Sequence, residues 1–135
     1  MPVEIREDEI NLSYAKLCFS LIDYVKAIEH LNKVGGLNYL HYADASVLKM
    51  CCYYELDRTE DSFYEIDKLK HYLRNRRDML IIHKVPNTNF IKIYQKLINN
   101  KSKATTNDLG FLEKEIILLK FIAKGRWLLE KISEV

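Results

Sequence analysis

Glycine and proline are scarce in this chain, at four and two of 135 residues. Tight turns draw on those two residues. A sheet-rich domain of this length needs many such turns, so the scarcity excludes an all-β fold. A glycine-rich phosphate loop is excluded for the same reason. The hydrophobic fraction of 48% and the charged fraction of 30% belong to a globular domain rather than a disordered chain. The length suits one domain, residues 1–135, around one sizeable core.

Apolar spacing is helical along nearly the whole chain. A first helix covers about Glu7 to Leu21, with Ile10, Tyr14, Leu17, Cys18 and Leu21 as its apolar positions. A second runs from about Tyr24 to Val34, and Gly35-Gly36 is placed to supply a left-handed C-terminal cap. Asn38 is a candidate N-cap for a third helix, about Tyr39 to Leu56. From Val47 to Leu56 that helix is apolar nearly all round, so it must be covered on several sides. Asp57 or Thr59 is placed to cap a fourth helix, about Glu60 to Arg74. Its face carries Phe63, Ile66, Leu69, Tyr72 and Leu73. Residues 75–85 read either as loop or as a short apolar piece. Pro86 suits the first turn of a fifth helix reaching about Asn100. Lys101 to Asp108 is a polar loop. One long helix then runs from about Leu109 to Ser133, with Gly125 as a weak point and Trp127 anchoring its end as a C-terminal cap. The pattern predicts an all-α chain of three antiparallel hairpins, at about 7–35, 38–75 and 86–133.

Catalytic and metal patterns are lacking. The histidines are His30, His41, His71 and His83, and no two are spaced by three or four to share a helix face for zinc. The cysteines are Cys18, Cys51 and Cys52. Their number is odd and two are adjacent, which makes no disulfide framework. Cys52 on a buried helix reads as a small apolar filler. No cofactor, metal or catalytic residue is expected, so no enzyme is expected. Reduced thiols and the lack of a secretory leader point to the cytoplasm. No run of 18 apolar residues provides a membrane span.

The chain carries an internal repeat. Shifting it by 35 residues superposes Ala15 on Met50, Cys18 on Tyr53, Ala27 on Ser62, Leu31 on Ile66 and Val34 on Leu69. The stretch YYELDRTEDSFYEIDKLKHYL resembles the centre of a tetratricopeptide repeat. Tyr53 stands at its late aromatic position and Ser62 at its small position early in the second helix. Met50, Lys49 and Asp57 depart from the small residue, leucine and turn glycine of that pattern. From about Leu12 to Ile132, YVKAIEHLNKV, DASVLKMCCYYELDRTEDSF, KHYLRNR and RWLLEKI follow in an order similar to the C-terminal region of large bacterial proteins built from such repeats.

The resemblance implies an α-α superhelix that acts as a scaffold, with a peptide or protein partner held on its concave face. The matching groove positions are Glu9, Leu12, Lys16 and Phe19, then Asp44, Val47, Cys51, Tyr54 and Glu55. Phe19, Val47, Cys51 and Tyr54 would form an apolar strip, with Glu55 at its acidic edge.

Charge offers two alternatives. The net charge of +2 hides an acidic half and a basic half: −7 over residues 1–67 and +9 over residues 68–135. The basic cluster includes Lys68, Lys70, His71, Arg74, Arg76, Arg77 and Lys84, and it marks a face for nucleic acid if one exists. No nucleic-acid motif accompanies it. Ends of opposite sign also suit self-association of the chain.

Overall fold

The structure is a computed structural model and describes residues 3–102, 110–119 and 121–134. It is all-helical, with no strand among the described residues. The helices are α1 (Val3–Ser20), α2 (Tyr24–Leu31), α3 (Tyr39–Glu55), α4 (Thr59–Asn75), α5 (Ile81–Ser102), α6 (Gly110–Leu118) and α7 (Gly125–Ser133). Two compact units result, residues 1–69 and 70–135, and the division falls within α4.

In the first unit, α2 packs on α1 and on α3, and α1 also touches α3. The 35-residue repeat is written into the backbone. At the end of α1, the Ile22 N–H donates to the Phe19 carbonyl at 3.0 Å and the Asp23 N–H to the Cys18 carbonyl at 2.8 Å. At the end of α3, the Asp57 N–H donates to the Tyr54 carbonyl at 3.2 Å and the Arg58 N–H to the Tyr53 carbonyl at 2.9 Å. This is the Schellman pattern, used twice in one register. Its left-handed residues are Ile22, at φ 63°, and Asp57, at φ 57°. A β-branched side chain at positive φ is strained by roughly 1–2 kcal/mol. Asp23 then caps α2, its carboxylate accepting from the Lys26 N–H at 3.2 Å. Asn38 caps α3, its side-chain oxygen accepting from the N–H groups of Leu40 and His41.

Burial follows the same register. Ala15, Met50, Ala27 and Ser62 are each fully buried, and Leu31 and Ile66 are each 1% exposed. Small residues at Ala15, Ala27 and Ser62 let the backbones approach. Two expectations are corrected here. Gly35-Gly36 supplies no left-handed cap, because no glycine among the described residues has positive φ and α2 ends at Asn32 in right-handed geometry. Instead the Gly35 N–H donates to the buried carboxylate of Asp8 at 3.1 Å. The inward face of α1 is also not the expected one. Asp8, Leu12, Ala15 and Cys18 are buried, while Ile10, Tyr14, Leu17 and Leu21 are 49–69% exposed.

A polar cluster joins α3 and α4 inside this unit. The Ser46 hydroxyl donates to Glu65 Oε1 at 2.7 Å, and Lys49 Nζ lies 3.5 Å from the same oxygen. Lys49 also reaches Asn32 Oδ1 at 3.5 Å, and all three of Ser46, Lys49 and Glu65 are buried. Burial pulls the Lys49 ammonium below its usual value, and the Glu65 carboxylate opposes that shift.

In the second unit the core is carried by α5. Phe90, Ile93, Tyr94, Leu97 and Ile98 are fully buried, and Leu112, Ile116 and Leu128 are buried on α6 and α7. Phe90 stacks on Tyr94 at 5.3 Å, and Tyr94 on Trp127 at 6.3 Å. The sequence reading fails at two places here. Pro86 does not open α5; the helix begins five residues earlier, at Ile81. Side chains bond to carbonyls around this turn, with Asn87 donating to the His83 carbonyl and Thr88 to that of Lys84. The long last helix is two helices, α6 and α7, and Gly125 starts the second one. Lys124 before it is left-handed, at φ 53°. A Cβ on Gly125 would lie 3.0 Å from Ile122 Cγ2, so any larger residue there would press on the Ile122 side chain. The α6–α7 connection is tied to α5 instead of continuing the helix. The Ala123 N–H donates to the Pro86 carbonyl at 3.1 Å, and Asn89 Nδ2 to that of Phe121 at 2.7 Å. Most of the expected polar loop, residues 103–108, lies outside the described residues.

Candidate functional site

The expected groove strip is largely interior. Val47, Cys51 and Tyr54 are 1%, 0% and 8% exposed, so they form no accessible surface. The apolar ring of α3 that pointed to a groove needs the same cover as any central helix, and here it has that cover. Glu55 is half-buried at the C-terminus of α3. Phe19 is half-buried and packs edge-on against Tyr24 at 5.3 Å. The polar groove positions are spent on tying α1 to α3. Lys16 bridges Asp44 at 3.0 Å, and Glu9 lies 3.6 Å from His41 Nε2.

The first unit offers a different surface, the outer face of α1. Glu9, Ile10, Ser13, Tyr14 and Leu17 line a shallow groove of about 560 Å³. Ile10, Tyr14 and Leu17 follow the i, i+4, i+7 spacing of one helix face, and Leu21 continues it. Tyr14 is held in place from below. Its ring stacks on His30 at 5.4 Å, and His30 Nδ1 lies 3.1 Å from Asn11 Oδ1. Glu4, Glu7 and Glu9 on the same helix are exposed. These stripe residues were visible in the sequence as apolar positions. The side they face was not.

The basic cluster is divided by the structure. Lys70 and Arg74 line a cleft of about 550 Å³ together with Leu73, Lys84, Thr88, Ile91, Lys92 and Gln95. Arg76 turns elsewhere. It clamps Asp78 in a two-point contact at 2.8 and 2.7 Å and donates to the Tyr72 hydroxyl at 2.9 Å. This pairing holds the Asp78 carboxyl below its usual range. Arg77 is exposed and outside the cleft. Helix spacing groups the cleft residues within each helix but does not bring the two helices together. Positions 70, 73 and 74 share a face of α4, and positions 84, 88, 91, 92 and 95 share a face of α5. Treating Pro86 as the start of α5 hid Lys84 from that face.

Among the described residues, no group of three or more His, Cys, Asp or Glu side chains is placed to hold a metal ion. No helix among them is long and apolar enough to cross a membrane. The three cysteines are buried and none is in a disulfide. No family model, curated protein or solved structure matches this chain.

Proposed function

We propose that the chain is a non-enzymatic, tetratricopeptide-like interaction module that docks an amphipathic, basic-flanked helix of a partner protein on the outer face of α1. One observation carries the reading: a helical stripe of large apolar side chains, Ile10, Tyr14 and Leu17, is exposed on α1, and the exposed Leu21 extends it just past the end of the helix. Single exposed apolar residues are ordinary, but a contiguous stripe at helix spacing marks a surface that meets another protein. The acidic first half and the exposed glutamates of α1 favour a partner with basic flanks. The preset ring of Tyr14 suits an anchor at such an interface. The repeated Schellman turns and the matched burial of the repeat pairs support the tetratricopeptide-like arrangement. Three cysteines without a disulfide suit a reducing compartment such as the cytoplasm.

The test compares two baits, the native chain and the Tyr14→Glu, Leu17→Glu variant, with the cell's proteins as prey. Both positions are about half exposed, so the variant keeps its fold and its thermal melt. The reading expects a reproducible partner on the native bait and its loss from the variant. A partner held equally by both baits would place the interface elsewhere. A chain that captures only further copies of itself, and does so in a salt-sensitive way, would replace the reading with self-association.

A further inference from the structure

The cleft between the end of α4 and the start of α5 has no role in the docking surface on α1. Its lining brings together four cations, Lys70, Arg74, Lys84 and Lys92, and contains no carboxylate. Leu73 and Ile91, 6% and 4% exposed, form an apolar floor, and Thr88 and Gln95 add a hydroxyl and an amide. Its volume of about 550 Å³ lies within the range of small-molecule sites.

The cations are not cancelled by their neighbours. Lys70 donates to the neutral Gln95 oxygen at 2.9 Å, which fixes the ammonium without neutralising it. The Arg74 guanidinium and the Lys84 ammonium make no hydrogen bond or ion pair among the described residues. Asp78 is within electrostatic range of Lys84, but its two oxygens are taken by Arg76. Glu115 pairs with Lys92 at 2.9 Å and with Lys96 at 3.2 Å, so one carboxylate is divided between two ammonium groups. Those two lysines hold the Glu115 carboxyl below its usual range. The cleft therefore holds four cations against part of one acid, over an apolar floor.

We infer that this cleft binds a small organic phosphate: an anion of several charges joined to an apolar or aromatic body. A phosphate group spreads charge over several oxygens and can meet Arg74 in two-point contact while the lysines act as point charges. The lysine stems and the Leu73–Ile91 floor would take the body. A long nucleic acid fits the observations less well. Outside the cleft, among the described residues, Arg76 pairs with Asp78, Lys96 with Glu115 and Lys131 with Glu134, so part of the basic half is not open to a phosphate backbone.

The test titrates the full chain calorimetrically with ATP as probe, with inorganic triphosphate for comparison. Saturable one-site binding is expected, with ATP about fivefold tighter than triphosphate because only ATP reaches the floor. Arg74→Ala and Lys84→Ala are each expected to weaken ATP about tenfold. Arg77→Ala, outside the cleft, should leave it unchanged. All three positions lie at the surface, and a thermal melt without ligand checks that each variant is folded. No binding of ATP at millimolar concentration would overturn the inference. So would binding insensitive to Arg74→Ala and Lys84→Ala. Equal affinity for ATP and triphosphate would remove the apolar floor from the site. A single-stranded oligonucleotide that binds more tightly than ATP, and loses affinity equally with Arg77→Ala, would identify a nucleic-acid face instead.

Discussion

The two units solve the same problem of turning a helix in different ways. In the first, the turn is local. Each hairpin ends its first helix with two backbone hydrogen bonds inside six residues, at Ile22 and again at Asp57. In the second, the break between α6 and α7 depends on α5. Its carbonyls and amides find partners at Pro86 and Asn89, more than thirty positions back along the chain. A local turn repeats because its causes are short-range. A turn held by distant partners needs the packed unit before it exists.

That contrast can be broken or sharpened by substitution. The largest effect is expected inside the first unit. Glu65→Leu leaves the buried Lys49 ammonium without its carboxylate and should cost about 3–5 kcal/mol in chemical denaturation. Adding Lys49→Met should recover most of that loss, because the orphaned charge is gone. A double variant as unstable as the single one would show that Glu65 acts through Ser46 and packing, not through the ion pair.

Next come the turns themselves. Ile22 is 72% exposed and left-handed, so Ile22→Gly removes strain while losing little packing. It should stabilise the chain by about 1 kcal/mol. Asp57→Gly should gain less, since aspartate tolerates that backbone better. The order of the two melting shifts is the check, and a loss of stability with Ile22→Gly would contradict the account of the repeat.

In the second unit, Asn89→Ala deletes one of the two ties to the connection. A cost of about 1 kcal/mol is expected. Hydrogen exchange should locate the loosening at residues 121–124 and leave the turns at Ile22 and Asp57 unaffected. Even protection losses in both units would blur the distinction drawn between them.

The smallest effect concerns Glu115. Its folded-state value is depressed by Lys92 and Lys96, so its contribution is present above the ordinary carboxylate value of 4.5 and is lost as pH falls through the lower folded value. The stability gap between the native chain and Glu115→Gln should therefore be full at pH 6 and close in acid. A gap that widens in acid would reverse the sign assigned to this carboxylate.

The sequence made the helices of the first unit legible to within about four residues at each end. Asn38 is a side-chain cap, and caps act within three positions. The pairs Ala27/Ser62 and Leu31/Ile66 carry a period that composition cannot hide. The side of α1 that faces inward was not legible, because α1 has two stripes. Ala15 and Leu12 compete with Tyr14 and Leu17, and only the packing of α2 and α3 chooses between them. The same ambiguity put Val47, Cys51 and Tyr54 on an expected surface when they belong to the core. The basic cleft was half legible. Lys70 and Arg74 stood in the basic cluster, but Lys92 and Gln95 join them only when α4 and α5 lie side by side.

The central claim is that the outer face of α1 is a docking surface. It is tested most directly by following the backbone amides of the isotope-labelled chain by NMR during titration with an amphipathic, lysine-flanked helical peptide. The account predicts saturable shifts concentrated at Ile10, Ser13, Tyr14, Leu17 and Leu21, absent in the Tyr14→Glu, Leu17→Glu variant. Shifts centred on α3, α4 or the second unit, or none at millimolar peptide, would contradict it.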